Sequence, residues 1–500
     1  MMDIFSNLAL GFEVAFTPMN LLYCMLGVTV GTMVGVLPGL GPAPTITMLL
    51  PLTFSMSPEA ALIMLAGLYY GAQYGGSTSA VLLKLPGEPT SIVTCLDGHA
   101  MAKKGRAGAA LGLCAIASFI AGTIGTMVVA FVSPPLTRFA LSFGPYEYFS
   151  LMALALVASV VFSSGSLLKA VAMVILGMLL GCIGTDMTSG VQRLTFGTLH
   201  LQDGLSFAVI AMGLYGFGEI LSNLQARDDR NVMDTKITRI MPTRNELKEA
   251  TPPALRGTAL GALFGVLPGT GAILASFMSY ALERRLTRKP KEFGNGAIAG
   301  LAGPEAANNA AAQTAFIPLL TLGLPGSAVS ALIIGALTMQ GITPGPQVMS
   351  DKPGLFWGLI ASFWIGNLLL LIINLPLVRI WVLMLKVPYR MLYLAILAFA
   401  CIGIYTINFS ILDVVVAAFF GFAGFAFRRM ECDLTPLLLG LILGPMIEDN
   451  LRRAMLLARG DWTVFLYRPL SVAMLLATLA LLAITLLPRV SSKRALLEES

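Results

Sequence analysis

Charge is scarce in this 500-residue chain: Asp, Glu, Lys and Arg together make up 12% of it, about half the share in a soluble domain. No long hydrophilic block interrupts the apolar sequence, so no sizeable soluble domain is expected. Histidine is scarcer still, with only His99 and His200. Neither H-E-x-x-H nor G-x-S-x-G occurs, so intramembrane metalloprotease and serine-hydrolase chemistry lack their parts. The G-x-x-x-x-G-K-[ST] phosphate loop is missing too, so an ATP-driven pump is not encoded, and the chain is not read as an enzyme. The six cysteines are scattered without a C-x-x-C and read as small buried hydrophobes, not as a disulfide or metal framework. Residues 1–26 hold no Lys or Arg, so the basic start of a cleavable signal is not evident.

What is present is apolar: 56% hydrophobic residues and a mean hydropathy of +0.82. Runs of about twenty apolar residues recur, which predicts an all-α polytopic membrane protein of about 10–12 membrane segments. The net charge is +6, but the basic residues lie beside apolar runs. There they orient a chain in a bilayer; nothing about them points to nucleic acid. The expected plan is a surface segment 1–18, a membrane repeat 19–226, a charged linker 227–256, a second repeat 257–488 and a tail 489–500.

The repeat is visible directly. Gly27, Gly31, Gly35 and Val36-Leu37-Pro38-Gly39-Leu40-Gly41 return as Gly257, Gly261, Gly265 and Val266-Leu267-Pro268-Gly269-Thr270-Gly271. The shift is a constant 230 residues, from Gly27 to Gly257, which reads as a duplication. A later echo pairs Leu83-Lys84-Leu85-Pro86-Gly87 with Leu322-Gly323-Leu324-Pro325-Gly326. Apolar helices broken at membrane depth are tolerated only where protein or an aqueous cavity covers the freed backbone. Paired breaks in two halves point to a transporter's binding site.

Basic residues set the relative orientation of the halves. In the first, Lys103, Lys104 and Arg106 follow the Pro86-Gly87 region. In the second, Arg256 precedes the motif, and Arg284, Arg285, Arg288, Lys289 and Lys291 follow its second leg. The same positions carry opposite charge bias, so the repeats are expected to be inverted through the membrane. Arg256 and Arg284 both flank residues 257–283, which suggests a re-entrant hairpin that enters and leaves on one side. Two legs of about 13 residues would each reach about 20 Å, roughly to the middle of the hydrocarbon core. Two tilted full crossings are the alternative. Arg452, Arg453 and Arg459 conflict with this count, because they fall on the outside.

The candidate site residues follow from these breaks. The Gly27/Gly31/Gly35 and Gly257/Gly261/Gly265 faces read as close helix packing. At Pro38, Gly39, Leu40 and Gly41, and at Pro268, Gly269, Thr270 and Gly271, the next leg begins with unpaired N–H groups at a positive dipole end. That is a ready anion site, or else a plain tight turn. Ser77 and Thr78 offer hydroxyls beside Gly75-Gly76, and Pro86-Gly87 offers a second break. The second half supplies Asn308, Asn309, Pro325, Gly326 and Ser327. Amides and hydroxyls suit a carboxylate substrate, and freed carbonyls suit a hard cation such as Na+; the same groups serve equally as interhelical glue. Glu305, an acid inside an apolar segment, is either a functional group or a helix-start cap after Pro304. Glu305 and Asn309, with the backbone at Gly39 and Gly269, are the candidates for coupling to Na+ or H+. Asp97-Gly98-His99 before Lys103 reads as a cytoplasmic loop. No cofactor is expected beyond that coupling ion.

In combination these motifs resemble the large permease (TctA-like) subunit of the tripartite tricarboxylate transporter family. The resemblance rests on Gly35–Pro42, Tyr70-Gly71-Ala72-Gln73-Tyr74-Gly75-Gly76-Ser77, Leu85-Pro86-Gly87-Glu88-Pro89 and Met101–Gly108. In the second half it rests on Gly265–Gly271, Gly303-Pro304-Glu305-Ala306-Ala307-Asn308-Asn309-Ala310 and Gly323–Gly326. His99 stands where an aromatic residue is expected. The resemblance implies a multi-pass protein of the bacterial inner membrane, paired with a small four-helix membrane subunit and fed by a periplasmic solute-binding protein. A homodimer of the complex is compatible with it. It further implies secondary import of citrate-like tri- or dicarboxylates or related organic anions, as a symport with Na+ or H+, and fits an elevator movement. An anion channel or a membrane scaffold subunit are the other readings.

Overall fold

The computed structural model describes residues 2–37, 41–163, 166–186, 189–225, 239–267, 271–385 and 389–486. The chain is an all-α polytopic membrane protein. Six of the described helices are long and apolar enough to cross a bilayer, and shorter apolar helices such as Leu167–Gly181 and Ala328–Met339 accompany them. Among the described residues the strands are two residues each, Gly184–Thr185 and Gln192–Arg193, paired antiparallel.

The duplication is built into the packing. Helix Pro18–Val36 lies along Pro58–Leu83, and helix Arg244–Gly265 lies along Ile298–Thr314. A Cβ at Gly27, Gly31 or Gly35 would collide with the carbonyl oxygen of Met64, Leu68 or Ala72, respectively. At Gly257, Gly261 and Gly265 it would collide with the carbonyls of Gly303, Ala307 and Ala311. Both numbers of each pair rise by four, so each pair of helices runs parallel with its backbones in direct contact, as small-residue stripes permit. The first stripe helix stops where Leu37 turns extended, and the next leg starts with Pro42 at its first turn after an extended Gly41. In the second half the stripe helix stops at Gly265 and Gly271 opens the returning leg. The tips, Pro38–Leu40 and Pro268–Thr270, lie outside the described residues.

The expected apolar run from Pro58 to about Gly76 proves longer. One helix continues to Leu83, so Ser77, Thr78 and Ser79 sit on a buried helix. It continues because Gly75 is closed against the Thr32 carbonyl; a glycine engaged in close packing does not break a helix. Lys84 ends it in the left-handed conformation, φ 59° and ψ 22°, with Pro86 two residues on. Its counterpart in the second half is Gly323, φ 69° and ψ 22°. From Lys84 to Gly323 and from Pro86 to Pro325 the shift is 239 residues, nine more than at the tips.

Other expectations resolve in three dimensions. Asp97 is on the buried helix Ile92–Met101, not in a loop. Its Oδ1 accepts the N–H groups of Gly296 (2.7 Å) and Ala297 (2.8 Å), capping helix Ile298–Thr314 of the other half. The capped turn Thr243–Glu246 starts a helix within the expected linker, and Glu246 binds Arg106 at 2.7 Å. Helices Leu167–Gly181 and Thr435–Leu457 run parallel, and their starts are tied by Ser163–Asp433 and Lys169–Met430 bonds. Arg452 and Arg453 therefore lie at the opposite end from those ties. Arg452 binds Asp186 and Glu448 (2.7 and 2.6 Å), Arg193 binds the same two acids (2.8 and 2.9 Å), and Arg453 binds Asp449. The core between the halves is aromatic: Phe363 meets Phe316 at 4.8 Å and Tyr70 at 5.1 Å between centroids.

Candidate substrate and cation site

Glu305 is the focus of the polar interior. Its helix starts at Ile298, with Pro304 already inside, so Glu305 does not cap a helix start. It is 1% exposed. Four neutral donors from four helices hold its carboxylate. Oε1 accepts from Ser77 (2.6 Å), Ser118 (3.0 Å) and Asn309 (3.3 Å), and Oε2 accepts from Thr94 (3.0 Å). Ser77, Thr94 and Ser118 come from the first half and Glu305 and Asn309 from the second, so neither half contains the site alone. Among the described residues no ion pair involves Glu305. A buried carboxylate without a positive partner is expensive unless a proton or a cation neutralises it. Beside it lies a small cavity of about 20 Å³, measured to the centre of a water-sized sphere and lined by Tyr74, Ser77, Thr78, Ser118 and Asn374. That is room for about one water or bare ion.

Thr94 and Ser118 escaped sequence reasoning. Each is a single hydroxyl in an apolar helix, where such groups commonly bond their own backbone, and nothing local marks them. Thr78 also lines the cavity.

The second breaks close on the first. A Cβ at Gly87 would collide with the carbonyl of Gly35, at the end of the first stripe helix. The equivalent point at Gly326 is 4.0 Å from the Gly265 carbonyl and 3.8 Å from that of Leu267. Each Leu-Pro-Gly turn is thus seated at the end of the stripe helix of its own half. The returning legs then cross over: Pro42–Thr53 packs on Ala328–Met339, and Gly271–Leu286 packs on the Pro89–Ser91 turn. Gly87 thus lies at the end of the first stripe helix, and Gly271 and Gly326 at the end of the second; Gly41 opens the first returning leg. Ser327 uses its hydroxyl to cap Ala328–Met339 by accepting the Ser330 N–H at 3.1 Å. Asn309 donates to Ser118 and Glu305. Asn308 is 1% exposed and neither end of its carboxamide has a hydrogen-bond partner. Pro38, Gly39, Leu40, Pro268, Gly269 and Thr270 lie outside the described residues. Among those described, no group of three or more His, Cys, Asp and Glu residues is placed to hold a metal ion.

A family profile described as the tripartite tricarboxylate transporter TctA family matches residues 21–439, a span that contains every residue of this site. The chain belongs to the TctA family. It is thus the membrane component of a tripartite tricarboxylate transporter, a family whose members work with partner subunits. Among its relatives, this TctA-family chain is 54% identical over 494 residues to an uncharacterized 52.8 kDa protein in the TAR-I ttuC' 3' region of Agrobacterium vitis, covering 99% of this chain and 98% of that protein. It is 56% identical over 234 residues to an uncharacterized protein in the TAR-II ttuC' 3' region of the same organism, covering 47% of this chain and 97% of that one. No solved structure matches the chain.

Proposed function

We propose that this TctA-family chain is the permease of a binding-protein-dependent secondary importer of citrate-like tri- or dicarboxylates, coupled to Na+ or H+. The observation that carries the reading is Glu305, a buried carboxylate held by Ser77, Thr94, Ser118 and Asn309 with no basic partner. Such a group must gain and lose a cation or proton to be useful, and it does so where the two halves meet. The broken helices supply N–H ends for the anionic substrate, at Gly41 and Gly271.

We read the halves as inverted and the breaks as the moving core of an elevator. Three contacts support the inversion. Thr53, at the far end of the first returning leg, accepts from Gln340 at 2.8 Å, near the loop that follows Ala328–Met339. Arg106 and Glu246 join the opposite ends of the neighbouring elements. Asp97 caps the second half from the first. The expected setting is the bacterial inner membrane, with a small four-helix subunit beside the chain and a periplasmic solute-binding protein delivering substrate.

The test is labelled citrate uptake into liposomes holding the chain and its small partner, with the binding protein outside, with and without an inward Na+ gradient. Uptake that needs both the binding protein and Na+ is expected. Uptake that follows a pH gradient instead moves the coupling to protons, and gradient-independent, non-saturable flux would sink the carrier reading in favour of a channel.

A further inference from the structure

We propose that Glu88 centres a second monovalent-cation site, built with Gln73, Thr90 and Asn308 and separate from the hydroxyl box around Glu305. The proposal rests on the reading of the chain as a cation-coupled carrier and adds to it a site that the motifs did not mark. Glu88 follows the Leu-Pro-Gly break of the first half and heads the Pro89–Ser91 turn. It is 6% exposed, and among the described residues no lysine, arginine or histidine pairs with it.

One hydroxyl beside it is shared between two oxygens. The Thr90 hydroxyl lies 2.7 Å from Glu88 Oε1 and 3.2 Å from Gln73 Oε1. One O–H carries one proton, so it satisfies only one of these two oxygens at a time. Asn308 stands next to the Glu88 carboxylate, and neither its Oδ1 nor its Nδ2 makes a hydrogen bond of good geometry. A buried amide without such a bond is rare in a finished interior. Glu88, Gln73, Thr90 and Asn308 together gather four hard side-chain oxygens around one buried carboxylate. That is the donor set of an alkali cation, not of an anion or a soft metal.

The position fits coupling. Gly87 is seated against the Gly35 carbonyl beside the first tip, and the Pro89–Ser91 turn packs on the returning leg Gly271–Leu286 of the other half. A cation at Glu88 would therefore sit between the break of the first half and the returning leg of the second. Glu88 and Glu305 are both buried and neither is in an ion pair among the described residues, so each needs its own neutralising cation or proton. The matching position in the second half, Ser327, is neutral and already occupied as a helix cap. The site is therefore single.

The experiment is equilibrium binding of radioactive ²²Na+ to the purified full-length chain with its small partner in detergent. The parent is expected to bind two Na+ per chain, Glu88→Gln and Glu305→Gln one each, and the double variant none. Asn308→Ala, which keeps both carboxylates, should weaken one of the two sites about tenfold and leave the other unchanged. It also guards against a Glu88 variant that does not fold, which the thermal melt of each preparation reports. If Glu88→Gln and Asn308→Ala both keep two Na+ at parental affinity, the second site is overturned and coupled transport through Glu305 stands. If Glu88→Gln alone removes both ions from a folded protein, there is one shared site and the proposal also fails. Absence of Na+ binding in the parent, together with uptake that ignores every cation gradient, overturns the underlying carrier reading.

Discussion

The two halves share a backbone plan and differ in what they hang on it. Pro58–Leu83 and Ile298–Thr314 both present carbonyls to a glycine stripe every fourth residue, and both lead to a left-handed residue followed by Leu-Pro-Gly. At the shift of 239, however, Glu305, Asn308, Asn309 and Gln313 correspond to Ala66, Tyr69, Tyr70 and Tyr74. In the other direction Ser77 and Glu88 correspond to Phe316 and Ser327. The polar groups of one half therefore face hydroxyls of the other, and the aromatic residues of both, Tyr70 and Phe316 among them, gather into one cluster. The comparison teaches that main-chain packing is what the duplication keeps. Chemistry is divided between the copies, so that only the assembled pair makes a site.

The largest expected effect tests that division. Glu305→Gln should lower gradient-driven citrate uptake by about 100-fold, while Ala66→Ser, at the matching position, leaves it near the parental rate. Comparable losses in both variants would break the asymmetry. Next come the shared stripes. Gly31→Ala and Gly261→Ala each force a methyl into a neighbouring carbonyl and should each lower stability by about 2–3 kcal/mol, read as a fall in the detergent thermal midpoint. Gly41→Ala should cost far less, because the nearest atom to an added Cβ is Pro44 Cδ at 3.9 Å. A large loss in one stripe only would mean that the two helix pairs are not mechanically equivalent.

Smaller effects sharpen the comparison at the second break. Lys84 holds φ 59° where the other half uses Gly323 at φ 69°. Lys84→Gly should therefore raise the thermal midpoint, by about 1 kcal/mol in stability, whereas Gly323→Ala should lower it by at least that much. The smallest effect concerns Glu246 at the start of the second stripe helix. Burial pushes its carboxyl up, but the Thr243 N–H, the Arg106 side chain and the Thr243 hydroxyl outweigh this and hold it below the usual 4.5. A folded value below the unfolded one contributes stability above the unfolded value, and that contribution is lost as pH falls through the folded one. The stability gap between the parent and Glu246→Gln should thus close as the pH is taken below 4.5. A gap that persists at the lowest pH would show that the Arg106–Glu246 pair does not set it.

Much of the architecture was legible because it repeats. Five glycines and a proline at one constant shift announced the duplication, and an acid in apolar sequence announced Glu305. What stayed hidden depends on contacts across long separations. Thr94 and Ser118 are ordinary helix hydroxyls until Glu305 is placed between them. The contact that holds Gly75 against the Thr32 carbonyl, 43 residues back in the chain, is likewise invisible in sequence. Asp97 reads as a loop charge because the N–H groups it caps lie about 200 residues away, at Gly296 and Ala297. Glu88 carries no mark in sequence beyond its place in Leu85-Pro86-Gly87-Glu88-Pro89, since its neighbour Asn308 belongs to the other half.

The glycine stripes also constrain how the molecule can move. With a carbonyl seated in every fourth position, two such helices cannot glide past one another by small amounts. The next position that fits is a full repeat of four residues away, about 6 Å along the axis. The contact behaves as a toothed rack with a coarse pitch, stiff between notches. Each stripe pair should therefore travel as one solid beam, and whatever bending accompanies transport must be taken up at the cut ends of the helices, where no teeth engage.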